Sequence, residues 1–272
     1  MHEKICIHPM CFAGATFREL AENWRKLGAR RVGLISNHIA DEGLAAVQDA
    51  IGSGGHRVET INHVFLPFGA HLDGGEASWQ EPRAKLGRLI EDAKVLGAHS
   101  IYIMSGGRGA LTWEDAAECF ARALAPCVAQ ARDAGVALLI EDASPLYAEI
   151  HLAHNLRDTL TLAEIAGIGV CIDFFACWTE AGLQETIRRA APRCHLVQVC
   201  DYVYGARSLP CRAVPGDGVI PVKRLIGWLL DAGYKGAFDL ELLGPRIDKE
   251  GHLAATKRAA ENVGEILHSL GA

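Results

Sequence analysis

Apolar and polar positions alternate along this chain in two registers. Short runs rich in Val, Ile and Leu, as in parallel strands buried on both faces, recur eight times, at 4–9, 31–36, 57–66, 100–105, 136–141, 170–174, 196–201 and 237–242. Between them lie longer stretches of helical period, at 17–27, 41–51, 78–96, 112–134, 156–166, 183–190, 221–232 and 251–270. Punctuation agrees with this reading. Thr112 stands before Glu114 and Asp115 as a cap before an acidic first turn, and Pro221 suits the start of a helix. Gly28, Gly97, Gly135 and Gly233 follow helical runs, where left-handed termini are common. Strict alternation of eight strands with eight helices predicts one α/β domain spanning 1–272, a single (β/α)8 TIM barrel. A dinucleotide-binding open sheet is disfavoured, because no GxGxxG follows the first strand. The longest irregular stretch, Tyr202–Val219, has the length of a functional loop or lid.

Composition narrows the partners. The formal net charge is −6, and basic residues form no stripe with interleaved aromatics, so nucleic acid is not an expected partner. No run is apolar and long enough to span a membrane, and the N-terminus lacks the apolar run of a signal peptide. The nine cysteines form no CxxC pair and several fall inside strands, the pattern of reduced, partly buried thiols in a cytoplasmic protein.

In a (β/α)8 barrel, functional side chains project from the C-terminal ends of the strands. Strand five closes on Glu141–Asp142, strand six on Asp173, strand seven carries Gln198 three residues before Asp201, and strand eight places Asp239 and Glu241 on one face. A charge within an apolar strand costs several kcal/mol unless it is paired or holds a metal. Glu141, Asp173, Gln198 and Glu241 form an all-oxygen donor set for one divalent ion. Such a set favours Mg²⁺ or Mn²⁺ and is compatible with Zn²⁺ or Co²⁺. Asp201 is expected to orient Gln198 from behind. His8, His38 and Arg108 stand at the ends of strands one, two and four as candidate substrate contacts, and Trp178 as a pocket wall. His151 and His154 follow strand five near Glu141.

The segments LLIED, VCIDF, VQVCD and FDLELLG, with CRAVPGDGVIPVKRLIGWLLDAGYKGAFDLEL, resemble the xylose isomerase-like superfamily, the sugar-phosphate isomerase/epimerase and endonuclease IV group. The resemblance implies Glu141, Asp173, Gln198 and Glu241 as metal ligands, with Glu141 and Glu241 as the proton-transfer pair. It implies Arg212 as a substrate contact, as in ketose 3-epimerases. The implied activity is a metal-dependent sugar isomerase or epimerase taking a small carbonyl or polyol substrate. The alternative is a dehydratase of the same fold acting on an inosose-like or 3-dehydroshikimate-like ring. Relatives are commonly homo-oligomers. Three positions depart from the pattern. Ala176 replaces a substrate-contacting His of the epimerases, Gln198 replaces the usual His, and Ala143 replaces a His found in some dehydratases. The His-rich, multi-zinc endonuclease branch does not match strand seven.

Overall fold

The computed structural model describes residues 1–272. Eight strands close into one parallel barrel in chain order, and β8 pairs with β1. They are β1 (Ile5–Ile7), β2 (Arg31–Ile35), β3 (Arg57–Val64), β4 (Ser100–Met104), β5 (Ala137–Glu141), β6 (Gly169–Asp173), β7 (Cys194–Val199) and β8 (Ala237–Leu240). The period of two divides each strand. Outward residues such as Ile103, Ile140, Ile172, Val197 and Phe238 join the core of 72 buried residues between the barrel and its helices. Inward residues Tyr102, Leu139, Cys171 and Leu196 form a small separate cluster that plugs the barrel interior.

The first four helices are α1 (Phe17–Leu27), α2 (Ser36–Glu42), α3 (Leu44–Gly54) and α4 (Gly75–Leu96). They are followed by α5 (Trp113–Ala134), α6 (Leu156–Ala166), α7 (Phe174–Cys177) and α8 (Leu183–Ala190). Last come α9 (Val222–Asp231), α10 (Pro245–Glu250) and α11 (His252–Ser269). Thr112 caps α5 through the Asp115 N–H as its spacing predicts, and Thr16 and Glu19 close a capping box on α1. The helix expected over 41–51 is instead two helices, because Gly43, at φ +83°, ends α2 and starts α3. The one-turn α7 also escapes the periodicity. Its N-cap is Asp173, whose carboxylate accepts from the Phe175 N–H, while Phe174 continues the apolar run of β6.

The segment 202–219 contains no helix or strand, yet it is tied down. The Asp201 carboxylate accepts from the N–H groups of Tyr202, Gly216, Gly218 and Ile220, each at 2.8–2.9 Å. Asp201 and Ala213 exchange two backbone hydrogen bonds of 2.8 Å. A side chain at Gly218 would meet the Tyr202 carbonyl at 2.1 Å, so the loop closes this tightly only around glycine. Asp201 therefore organises the loop that carries Arg212 to the barrel mouth, and its carboxylate makes no hydrogen bond to the Gln198 side chain. The expected Asp201–Gln198 pair does not form. Four backbone donors saturate the carboxylate.

Candidate active site

Glu141 closes β5, Asp173 closes β6 and Glu241 follows β8, so three inward positions meet at the mouth. One oxygen from each lies within 4.8 Å of the others, and all three residues are buried. Asp142, also buried, accepts from the Asp173 N–H at 2.8 Å and fixes the end of β6. Arg212 enters from the loop. Its Nη1 and Nη2 donate to the two oxygens of Asp173 at 3.0 and 2.8 Å, and its guanidinium lies over the Phe175 ring at 4.9 Å. Nη2 also lies 3.1 Å from the Glu241 Oε2, but without hydrogen-bond alignment, so this buried oxygen has no donor.

The electrostatics follow from three carboxylates sharing one cation. Burial pushes Glu141 well above the ordinary carboxylate range, and Glu241 and Asp173 push it further. Burial also raises Asp173 and Glu241, against the opposing pull of Arg212. Burial works against the charge of Arg212 itself, but Asp173 and Glu241 outweigh it and hold the guanidinium protonated. Beneath Glu241 on the same face, Asp239 is fully buried with no hydrogen-bond donor aligned to either oxygen and only the Cys6 thiol beside it, and burial raises it well above its usual value.

Gln198 is fully buried, and neither end of its amide has a hydrogen-bond partner. Its Cα is in register with Asp173 on one side and Asp239 on the other. An orphaned inward amide beside three converging carboxylates is costly unless something accepts or coordinates it.

The cavity above these groups holds about 260 Å³. His8 lines it, as expected from its place at the end of β1. Its Nδ1 accepts from the Met10 N–H at 3.1 Å, so its Nε2 carries the proton and faces the Tyr102 hydroxyl at 2.6 Å. Burial, then Arg212, lowers its pKa to about 3, so the imidazole is neutral. With His8 donating to its oxygen, the Tyr102 hydroxyl keeps its own proton for the cavity. Tyr102 was not singled out in the sequence, although alternation along Ser100, Tyr102 and Met104 turns it inward. Asn62 lines the cavity as well.

Three other expected contacts are elsewhere. His38 sits in α2, where its Nδ1 accepts from the Ile35 N–H at 3.3 Å, because the chain turns into a helix straight after β2. Arg108 is exposed on a turn, and the turn is pinned by the Gly106 N–H to the Ile150 carbonyl at 2.9 Å. Trp178 packs against Tyr202 and Tyr204 and lines a neighbouring groove with Trp228 and Arg224. None of the three lines the cavity. His151 is buried, with its Nδ1 accepting from the Ser105 N–H at 3.1 Å and its Nε2 donating to the Glu141 carbonyl at 2.8 Å. It ties β4 to β5 through backbone groups. All nine cysteines are free thiols, and no helix is long and apolar enough to cross a membrane.

Residues 14–265 match the sequence profile described as xylose isomerase-like TIM barrel. The chain belongs to the xylose isomerase-like TIM barrel family. Solved structures of similar fold include IolI with a bound zinc atom, 15% identical with a TM-score of 0.82 over 98% of this chain and 99% of that one. An L-ribulose 3-epimerase is 20% identical, with a TM-score of 0.80 over 98% of this chain and 95% of its own. The D-psicose 3-epimerase of Clostridium cellulolyticum H10 is 17% identical, with a TM-score of 0.77 over 96% and 98%. No curated protein matches the chain significantly in sequence.

The donor set of this family member fits a cation. The carboxylates outnumber the one arginine, the Glu241 Oε2 lacks a donor, and the Gln198 amide is unpartnered at the same end of the barrel. All candidate donors are oxygens, which suits a hard divalent ion.

Proposed function

We propose that this protein is a divalent-metal-dependent isomerase or epimerase acting on a small hydroxy-ketone of the sugar class. The observation that carries the reading is the buried convergence of Glu141, Asp173 and Glu241, with Glu141 and Glu241 both lining one cavity. Glu141, Asp173, Gln198 and Glu241 would hold the ion. When bound, it would polarise the substrate carbonyl and make the adjacent C–H more acidic. The zinc of the IolI structure and the epimerase relatives support the same reading.

The chain's own residues divide the remaining work. Glu141 and Glu241 come from strands on different sides of the mouth. One carboxylate can therefore take a proton from carbon while the other returns it from the opposite side. Tyr102, fixed by His8, donates its hydroxyl proton towards the cavity and can stabilise negative charge on a substrate oxygen. Arg212 holds Asp173 in place and closes the cavity on the loop side.

One observation favours a dehydratase as the second reading. The proton left on Tyr102 could equally be given to a departing hydroxyl. Both readings share the first step, so solvent deuterium exchange tests them together. With Mg²⁺ or Mn²⁺ and a panel of ketoses, inososes and 3-dehydroshikimate, the first reading expects deuterium at the carbon next to the carbonyl with no loss of water. A new enone absorbance would assign the dehydratase. No exchange into any compound would refute proton abstraction.

A further inference from the structure

The walls of this cavity change character with depth. On β3, β4 and β5 the deeper inward residues that line it are polar, namely Asn62, Tyr102 and Glu141. Two residues further towards the mouth, on the same faces, stand Val64, Met104 and Ala143. Met104, Ala143 and Ile150 form an apolar cluster with Val64 and Tyr147 packed on it, and this cluster is separate from the main core. All five of its members line the cavity. A satellite cluster of this kind adds nothing to the core between barrel and helices. Its apolar surface is presented to whatever enters the site.

Charge adds a second constraint. Arg212 is the one cation in the lining, and it is already engaged by Asp173 and Glu241. Glu141, Asp173 and Glu241 against Arg212 leave an acidic excess that one divalent ion would cancel. No lysine or second arginine remains for a phosphate or carboxylate on the substrate.

We infer that the site selects an uncharged carbonyl compound whose reacting end is hydroxylated and whose outer end is apolar, such as a terminally deoxygenated ketose, over phosphorylated or carboxylated ones. The inference rests on the proposed function for the reacting end only. The deep tier offers Asn62, Tyr102 and Glu141 as hydrogen-bond partners for the groups near the carbonyl. A hydroxyl placed against Val64, Met104 and Ile150 would lose its water there, and in the outer wall only the Tyr147 and Ser144 hydroxyls could answer it. A phosphate there would lose its water against apolar side chains and find no free cation in the lining.

The test uses the metal-loaded protein with D-fructose, 6-deoxy-D-fructose and D-fructose 6-phosphate, their L counterparts, and the ring pair of an uncharged inosose and 3-dehydroshikimate. Deuterium exchange and ligand-induced thermal shift are both read for each compound. The deoxy compound is expected to exceed its parent about tenfold or more in kcat/KM or affinity, and each anionic compound to fall about a hundredfold below its neutral partner. In Met104→Gln, the deoxy preference is expected to shrink towards parity, with folding checked by the melting curve. Exchange into phosphate or carboxylate compounds as fast as into neutral ones would overturn the inference and leave the proton chemistry standing. Preferential binding of the deoxy compound without exchange would uphold the inference and remove the chemistry. If no uncharged ketone binds or exchanges, the inference fails.

Discussion

At the N-terminal end of the barrel, Glu59 is buried with its charge matched. The Arg31 Nη1 lies 2.5 Å from its Oε2, and the Arg57 Nε stands at 4.0 Å. At the C-terminal mouth, Asp173 and Glu241 share Arg212, Glu141 has no ion pair, and Asp239 lies below with no cation beside it. One barrel thus carries two kinds of buried acid. The lower one is a closed ion pair that needs nothing further. The upper group has more negative charge than its arginine can neutralise, and its members are buried. Burying unbalanced carboxylates costs stability, so their convergence points to a use other than holding the fold.

Removing members of each group should separate the two roles. The largest effect is expected from Glu141→Gln and Glu241→Gln. Each should lower solvent-exchange activity by about a thousandfold or more while the circular dichroism spectrum stays unchanged. Activity retained within a few-fold would remove that residue from proton transfer. Arg212→Met comes next. It leaves Asp173 and Glu241 without a countercharge, so the metal-free protein should lose about 3 kcal/mol in denaturant melts, much of it regained on adding Mn²⁺. A loss that Mn²⁺ does not reduce would mean that arginine and ion do not answer the same charges. Glu59→Gln should cost about 2 kcal/mol, less than a fully buried pair because Arg31 is partly exposed, and should leave metal affinity unaltered. A change in metal affinity would join the two ends of the barrel that the comparison separates.

The smallest effect is in pH. Glu141, Asp173 and Glu241 bind protons more tightly in the folded chain than in the unfolded one. Their contribution to metal-free stability is therefore present on the acid side. It is lost as pH rises from the ordinary carboxylate range through their raised values. A cation competes with those protons, so its stabilisation should grow across the same window. Melting curves at about pH 5 and about pH 8, with and without Mg²⁺, check the sign. A metal-induced shift that is larger at the acid end would contradict the assignment of these carboxylates as ligands.

Much of this comparison was legible in the sequence, because a parallel barrel writes its geometry into local pattern. Acids that close apolar runs must lie at strand ends, and the period of two turns Glu141, Asp173 and Glu241 inward. Residues in connecting segments were harder to place. His38 and Trp178 follow strands closely, but each chain segment turns into a helix at once and carries the side chain away from the cavity. Asp201 has the spacing of a partner for Gln198, yet its carboxylate is filled by backbone donors from a loop up to nineteen residues away. Arg212 was reached through family resemblance, and its double engagement with Asp173 and Glu241 could only be seen in three dimensions. Tyr102 is hidden in the sequence because a tyrosine in an apolar strand looks like packing. Its role depends on His8, ninety-four residues away.

We propose the mouth of the barrel as a metal site built by Glu141, Asp173, Gln198 and Glu241. Equilibrium titration of the chelator-treated protein with Mn²⁺ tests it most directly. One ion per chain is predicted, with affinity weakened about a hundredfold or more in Asp173→Asn and in Glu241→Gln. Absence of saturable binding, or equal affinity in both variants and the parent protein, would contradict it.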